Sequence, residues 1–288
     1  MRLAINGTTL YIDVESPALV PEGLAMRERP TLLLLHGGPG FDHTYFTPPP
    51  ADLAAAAQLV YLDQRGQGRS ARAPLETCTI EQMADDAAAV IHTLGLERPT
   101  VLGHSHGGFV ALTLAIRHPE SIGGLILVDT AAASADMAGA MERLEARHGP
   151  DVRAAAEPIF RGEASEAAGE AFFRLVAPAY VHDRSKIGQV LEAMGRSFNA
   201  PEVAAYYFTH LAGRYDVRDR LGEIRVPALV ITGAEDWLIP PSAGEALAAH
   251  IPGAEFVVIP EAAHFPFIER PDAYVAAVRR FLAAPVPA

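Results

Sequence analysis

Cysteine is almost missing from this chain: Cys78 stands alone among 288 residues. That excludes a disulfide framework and any cysteine-based zinc cluster, since each needs several thiols at set spacings. No apolar run approaches the roughly 18 residues that a membrane-crossing helix requires. Basic residues are scarce as well. Lys and Arg number 23 against 35 Asp and Glu, a formal net charge of −12. Nucleic acids and anionic membranes are bound through clustered positive charge, so neither is an expected partner. The opening stretch, MRLAINGTTLYIDV, alternates polar and apolar residues and lacks the apolar block of a secretory signal. These features set the expectation of a cytoplasmic protein. Half of the residues are apolar, which at this length supports a large core in one domain, or in one domain carrying an insertion. Oligomeric state leaves no mark in the sequence.

What is present is an alternation of strands and helices. Arg2–Ile5 and residues 8–14 flank Asn6-Gly7, the pair best suited to a tight hairpin turn. Residues 16–30 read as a Pro-, Glu- and Arg-rich connector. TLLLL (31–35), QLVYL (58–62), GLILV (124–128) and ALVIT (228–232) are short apolar runs, as in strands buried on both faces. Residues 100–103 and 256–259 read as further strands. Helical spacing marks 80–94, with Thr79 as its N-cap, and also 107–117, 242–250 and 272–282. Strands that alternate with helices in this way build a mostly parallel sheet covered on both faces, an α/β fold. From about 131 to 213 no strand-like run occurs, and helical stretches such as 137–147 and 167–176 take over. The expected organisation is a core of residues 1–130 and 214–288 with a helical cap, 131–213, inserted between its halves. The final APVPA reads as a frayed end.

The sharpest chemical signal is Gly103-His104-Ser105-His106-Gly107-Gly108. It has the form G-x-S-x-G and sits between a predicted strand and a predicted helix, the context of a nucleophile elbow. The helix start offers unpaired N–H groups and a positive dipole end beside the serine. His36-Gly37-Gly38-Pro39-Gly40 follows TLLLL, where a glycine loop can turn an N–H toward that serine. Acyl transfer needs two donors aimed at the developing oxyanion, and the N–H groups of Gly38 and His106 are the candidates. A phosphate-binding loop is disfavoured, because neither G-K-[ST] nor G-x-G-x-x-G is present and Pro39 lacks an N–H. A serine nucleophile also needs a base and an acid that orients the base. His264, in the loop after FVVIP, is the candidate base. Asp236, in Gly233-Ala234-Glu235-Asp236-Trp237 after ALVIT, is the candidate acid, and the order Ser…Asp…His suits the elbow. Asp129, after GLILV, is the alternative acid. His104 and His106 read as lining or packing groups. No third ligand stands near them, so neither a metal nor any other cofactor is expected. His36, Gly37, Phe41, Tyr206, Tyr207 and Trp237 are candidate substrate contacts, with His36 more plausible as an orienting group. Asp63-Gln64-Arg65-Gly66-Gln67-Gly68-Arg69-Ser70 reads as a tight turn held by its own ion pairs.

Taken together, HGGPG, DQRGQGRS, GHSHGG, GAEDW and AAHF resemble the α/β-hydrolase superfamily, and more narrowly its proline iminopeptidase branch. The resemblance spans roughly residues 1–130 and 213–285. It implies Ser105, Asp236 and His264 as a catalytic triad and Gly38 and His106 as oxyanion donors. Two positions depart from the branch. His106 stands where its members usually carry tryptophan. Ala204, in Ala204-Ala205-Tyr206-Tyr207-Phe208, stands where a cap glutamate would hold the substrate's amino group. The second departure favours an esterase or lactonase over an aminopeptidase, although Glu163, Glu166, Glu170, Glu192 and Glu202 remain available in the cap. A non-catalytic small-ligand receptor on the same fold is the expectation from another class. A dehalogenase or epoxide hydrolase would carry aspartate at position 105.

Overall fold

The computed structural model describes residues 1–284, so all of the APVPA end beyond Ala284 lies outside the described residues. Strands β1 (Arg2–Ile5) and β2 (Thr8–Glu15) form the expected hairpin, turning at Asn6 and Gly7, both at positive φ. The expected connector instead contains a small antiparallel ribbon, β3 (Leu19–Glu22) and β4 (Ala25–Glu28). Its side chains are almost all exposed, so no buried face imposes the apolar alternation by which strands are recognised.

Thereafter the chain alternates: β5 (Thr31–Leu35), α1 (Ala51–Ala56), β6 (Gln58–Asp63), α2 (Ile80–Thr93), β7 (Thr100–His104), α3 (His106–Arg117) and β8 (Gly124–Val128). The Thr79 hydroxyl caps α2 by accepting the Gln82 N–H at 3.1 Å. Next comes a helical stretch: α4 (Ala140–His148), α5 (Pro150–Phe160), α6 (Glu166–Ala171), α7 (Ile187–Gly195) and α8 (Pro201–Tyr206). The chain then completes itself with β9 (Ala228–Gly233), α9 (Pro241–His250), β10 (Glu255–Ile259), α10 (Pro266–Glu269) and α11 (Pro271–Ala283).

Eight strands form one sheet in the order β1-β2-β6-β5-β7-β8-β9-β10. All pairs from β6 to β10 are parallel, and only the β1–β2 and β2–β6 pairs are antiparallel. The central strands β5, β7, β8 and β9 are buried almost throughout, which accounts for their unbroken apolar runs.

Between β8 and β9 the named elements among the described residues are all helical. The stretch leaves and returns at one place: Ala133 bridges Asp216, and the Ser134 N–H reaches the Tyr215 carbonyl at 2.9 Å. Two expected helices differ in detail. The one expected at 137–147 begins at Ala140, because Gly139 is left-handed (φ 76°). The one expected at 167–176 is α-helical only to Ala171 and then widens into a π turn, Phe172–Val176. A second π turn, Tyr207–Leu211, follows α8.

Candidate active site

Ser105 sits between β7 and α3 with φ 53° and ψ −122°, a conformation that costs a non-glycine residue about 1–3 kcal/mol. Its neighbours make the turn possible. A Cβ on Gly103 would strike the Gly107 carbonyl, and one on Gly107 would strike the Leu35 carbonyl. The G-x-S-x-G spacing is therefore a packing requirement here: both flanking positions touch backbone. The peptide is anchored by the Ser105 N–H on the Val128 carbonyl (2.9 Å) and by the Thr130 hydroxyl on the Ser105 carbonyl (2.8 Å).

His264 and Asp236 come together as a buried pair. The His264 Nδ1–H donates to Asp236 Oδ2 at 2.6 Å. Asp236 Oδ1 accepts the N–H groups of Leu238 (2.8 Å) and Ile239 (3.2 Å), so both carboxylate oxygens are fixed. With its proton on Nδ1, His264 keeps Nε2 as an acceptor, and it lines the same cavity as Ser105. Glu235, next to Asp236, turns outward to Arg147 (3.4 Å). Asp129 takes no part in the pair. Its Oδ1 accepts the Gly233 N–H at 2.8 Å, and Oδ2 is buried with no partner among the described residues. Burial and the nearby Asp236 charge push the Asp129 carboxyl well above the usual carboxylate range.

On the opposite wall the glycine loop approaches Ser105 closely: a Cβ on Gly37 would lie 3.0 Å from Ser105 Cβ. Gly38 has φ +119°, open in practice to glycine alone, and its N–H has no acceptor among the described residues. His106 opens α3, so its N–H has no intrahelical carbonyl to reach. His36 is fully buried and lies outside the cavity lining. Its Nδ1–H donates to the Gly37 carbonyl (2.8 Å), and Nε2 accepts the Gln64 N–H (3.0 Å). The D-Q-R-G turn braces this loop. Gln67 Oε1 accepts the Gly40 N–H at 2.6 Å, and Arg65 grips buried Asp86 with two bonds, of 2.8 and 2.7 Å. Asp42, His43 and Asp63 bring ligand-type atoms within 4.8 Å of one another. Protein donors already engage them: Asp63 accepts from His43 Nδ1 (2.6 Å) and from the Arg69 N–H (2.8 Å), while Asp42 accepts from Arg69 (3.1 Å) and from the Phe198 N–H (2.9 Å).

Sequence reasoning passed over Tyr45, which links the two walls. Its hydroxyl accepts the Gly37 N–H and donates to His104 Nδ1 at 2.9 Å, so His104 donates from Nε2 to the His264 carbonyl at 2.8 Å. Burial pulls His104 well below its ordinary pKa, which suits this single-proton tautomer. A tyrosine a few residues after the glycine loop carries no motif that would announce this role.

A cavity of about 760 Å³ lies between the sheet and the helical stretch. Ser105 and His264 line it, with Gly37, Gly38, Phe41 and Tyr207 among the sequence candidates and Ala204 beside them. The wall is aromatic: Phe109, Phe160, Phe172, Phe173 and Phe208 contribute. The π turns help here. Adjacent residues on an α-helix point about 100° apart, and the wider turn lets both members of Phe172-Phe173 and of Tyr207-Phe208 reach the cavity. Two further candidate contacts, Trp237 and Tyr206, do not line it. Trp237 is fully buried behind Tyr180 and Phe160, because its peptide belongs to the turn that holds Asp236. Tyr206 packs on His210.

An open, mostly parallel sheet with a serine turn at the carboxyl end of a central strand and a buried Asp–His pair at the ends of the next strands defines an α/β-hydrolase fold. The family profile for the alpha/beta hydrolase fold matches residues 30–271, and the chain belongs to that family. The chain is 29% identical over 255 residues to RutD of Caulobacter sp. (strain K31), whose name assigns it provisionally as a carbamate hydrolase. That match covers 87% of this chain and 90% of RutD. Among solved structures, the enol-lactonase of Burkholderia xenovorans LB400 is similar at 26% identity and a TM-score of 0.75, covering 99% of this chain and all of that one. The proline iminopeptidase of Mycobacterium smegmatis is similar at 26% identity and a TM-score of 0.73, covering 98% of this chain and 97% of that one. The chain is thus a hydrolase of this fold. Among its described residues no helix is long and apolar enough to cross a membrane.

Proposed function

We propose that the protein is a serine hydrolase that cleaves uncharged carboxylic esters or lactones of small molecules through an acyl-enzyme. The observation that carries this reading is the 2.6 Å His264–Asp236 bond on the wall of the cavity into which the strained Ser105 turn opens. His264 Nε2 takes the Ser105 proton while Asp236 holds the imidazole in the required tautomer. The serine oxygen attacks the carbonyl carbon, and the N–H groups of Gly38 and His106 receive the oxyanion. The protonated imidazole then gives its proton to the leaving oxygen. Water activated by the same histidine releases the acid.

The cavity supports the choice of substrate. Its surface near Ser105 is aromatic and aliphatic, and Ala204 lies beside the glycine loop, 3.2 Å from where a Cβ on Gly40 would be. An ammonium group there would lose its hydration with no carboxylate to replace it, at a cost of several kcal/mol. Of the five cap glutamates named from sequence, Glu202 pairs with Arg72 (3.3 Å), Glu192 with Arg196 (3.4 Å) and Glu163 with Arg161 (3.9 Å). Glu166 and Glu170, together with Glu142, do border the cavity, all on exposed positions. They are the observation that favours the second reading, an aminopeptidase of the iminopeptidase type. A reduced, cytoplasmic setting accords with the single buried thiol. A panel of p-nitrophenyl esters, lactones and Pro-p-nitroanilide separates the readings. Esters or lactones are expected to be turned over best, and a clear preference for Pro-p-nitroanilide would instead establish the aminopeptidase. No turnover of any of them, with no labelling of Ser105, would point to a ligand receptor.

A further inference from the structure

We infer that Glu269 is a positioning residue for the reaction: a buried carboxylate that locks the loop carrying His264 to the helical stretch roofing the cavity. This inference rests on the role given to His264 above. Glu269 ends α10 and is only 1% exposed. Its two oxygens divide between two segments. Oε1 accepts the Ala263 N–H at 2.8 Å, one residue before His264. Oε2 accepts the N–H groups of His182 (2.7 Å) and Asp183 (2.9 Å), in the helical stretch. The same segments meet again where the His264 N–H reaches the Tyr180 carbonyl at 3.1 Å. On the solvent side, Arg270 pairs with Asp183 at 2.8 Å and with Glu261 at 3.5 Å.

The chemistry requires a carboxylate. Three backbone N–H groups converge from two directions, and only a group with two acceptor oxygens satisfies both sides. Burial pushes the Glu269 carboxyl above its ordinary value, and the three backbone donors offset only part of that shift. The imidazole is therefore held at both ends: by Asp236 at the ring and by Glu269 through the backbone one residue away. A base displaced by about 1 Å loses on the order of 10²-fold in rate, so this clamp bears on kcat. It also makes residues 180–183 a fixed edge of the roof.

The test compares wild type with Glu269→Gln and Arg270→Met in the full chain. A glutamine keeps one acceptor oxygen and turns an NH₂ against the other segment, so one side must let go. Glu269→Gln is expected to lower kcat per fluorophosphonate-titrated site by about 10- to 100-fold with KM changed less than about threefold. Arg270→Met, which removes the outer ion pairs and the guanidinium's bond to the Glu269 carbonyl (2.8 Å) but none of the three bonds to the Glu269 carboxylate, should stay within about twofold of wild type. A Glu269→Gln protein that loses only thermal stability, with kcat per titrated site intact, overturns the inference. So does an Arg270→Met protein as impaired as Glu269→Gln. If Glu269→Gln does not fold, Glu269→Asp replaces it under the same criteria, since the shorter side chain reaches one segment but not both. The downfield proton signal of the His264–Asp236 bond gives a readout that needs no substrate. Broadening of that signal in the Glu269 variant supports the clamp, and an unchanged signal contradicts it. The hydrolase reading itself stands or falls separately, on wild-type turnover and its loss in Ser105→Ala.

Discussion

Asp129 and Asp236 both follow sheet strands, and their surroundings separate their roles. Among the described residues Asp236 has three hydrogen-bond donors, one of them His264, whereas Asp129 has a single backbone donor and a buried oxygen without a partner. Asp236→Asn is therefore expected to cost about 10⁴ in kcat, as when a triad carboxylate is replaced and the base adopts the wrong tautomer. Asp129→Asn should keep near-full activity in the same assay, and the reverse result would exchange the two assignments. Stability gives an independent check. With its carboxyl pushed up in the folded state, Asp129 binds its proton more tightly there than in the unfolded chain. Wild type thus loses stability as pH rises from the ordinary carboxylate value toward the raised folded one, and an asparagine does not. The Tm of Asp129→Asn should exceed that of wild type by a margin that grows between pH 5 and pH 8. A margin that stays flat over that range would mean the carboxyl is already ionised in the folded protein. The other histidines near Ser105 stay neutral across this window, because burial pulls His106 down to about 3 and His104 well below its ordinary value. The proposed base must be neutral to accept the Ser105 proton, so kcat/KM is expected to fall as pH drops. A flat profile from pH 5 to 8 would rule out a histidine base.

Among the elements, strands were the most legible in the sequence, because burial on both faces leaves uninterrupted runs such as TLLLL and GLILV. The Ser105 turn was legible for a different reason: strand, small residues and helix are all needed to hold that backbone. The ribbon at β3 and β4 left no pattern, since it buries almost nothing. In the helical stretch, composition indicates helix but not where it widens, so neither π turn could be foreseen. Glu269, in the run Ile-Glu-Arg-Pro, reads as a solvated charge until the fold closes two backbone segments around it. Trp237 was misplaced because a large aromatic beside Asp236 serves equally well as a wall or as a support, and only packing decides which. Where the elements set specificity, α8 carries the test. Ala204→Glu places a carboxylate beside the glycine loop and should raise kcat/KM for Pro-p-nitroanilide relative to a p-nitrophenyl ester by about tenfold or more, the value of a modest charge-assisted hydrogen bond. An unchanged ratio would show that Ala204 does not determine how the cavity treats an amine.

At the scale of the molecule, the helical stretch is fastened to both loops of the proposed catalytic site. Its Ala200 N–H donates to the Gly40 carbonyl at 2.7 Å, next to the proposed oxyanion donors, and its 180–183 edge is bonded to the His264 loop. In the proposed mechanism substrate choice and chemistry would share this frame: the strand ends carry Ser105, Asp236 and His264, and the helical stretch lines the cavity and is bonded to the loops beneath it. All of this depends on Ser105 being the nucleophile. The most direct measurement is intact-protein and peptide mass spectrometry after exposure to a fluorophosphonate probe, alongside turnover of an activated ester. The expected result is one adduct per chain, on Ser105, with turnover abolished in step and both lost in Ser105→Ala. An adduct on another residue, or turnover that survives in Ser105→Ala, would contradict the account.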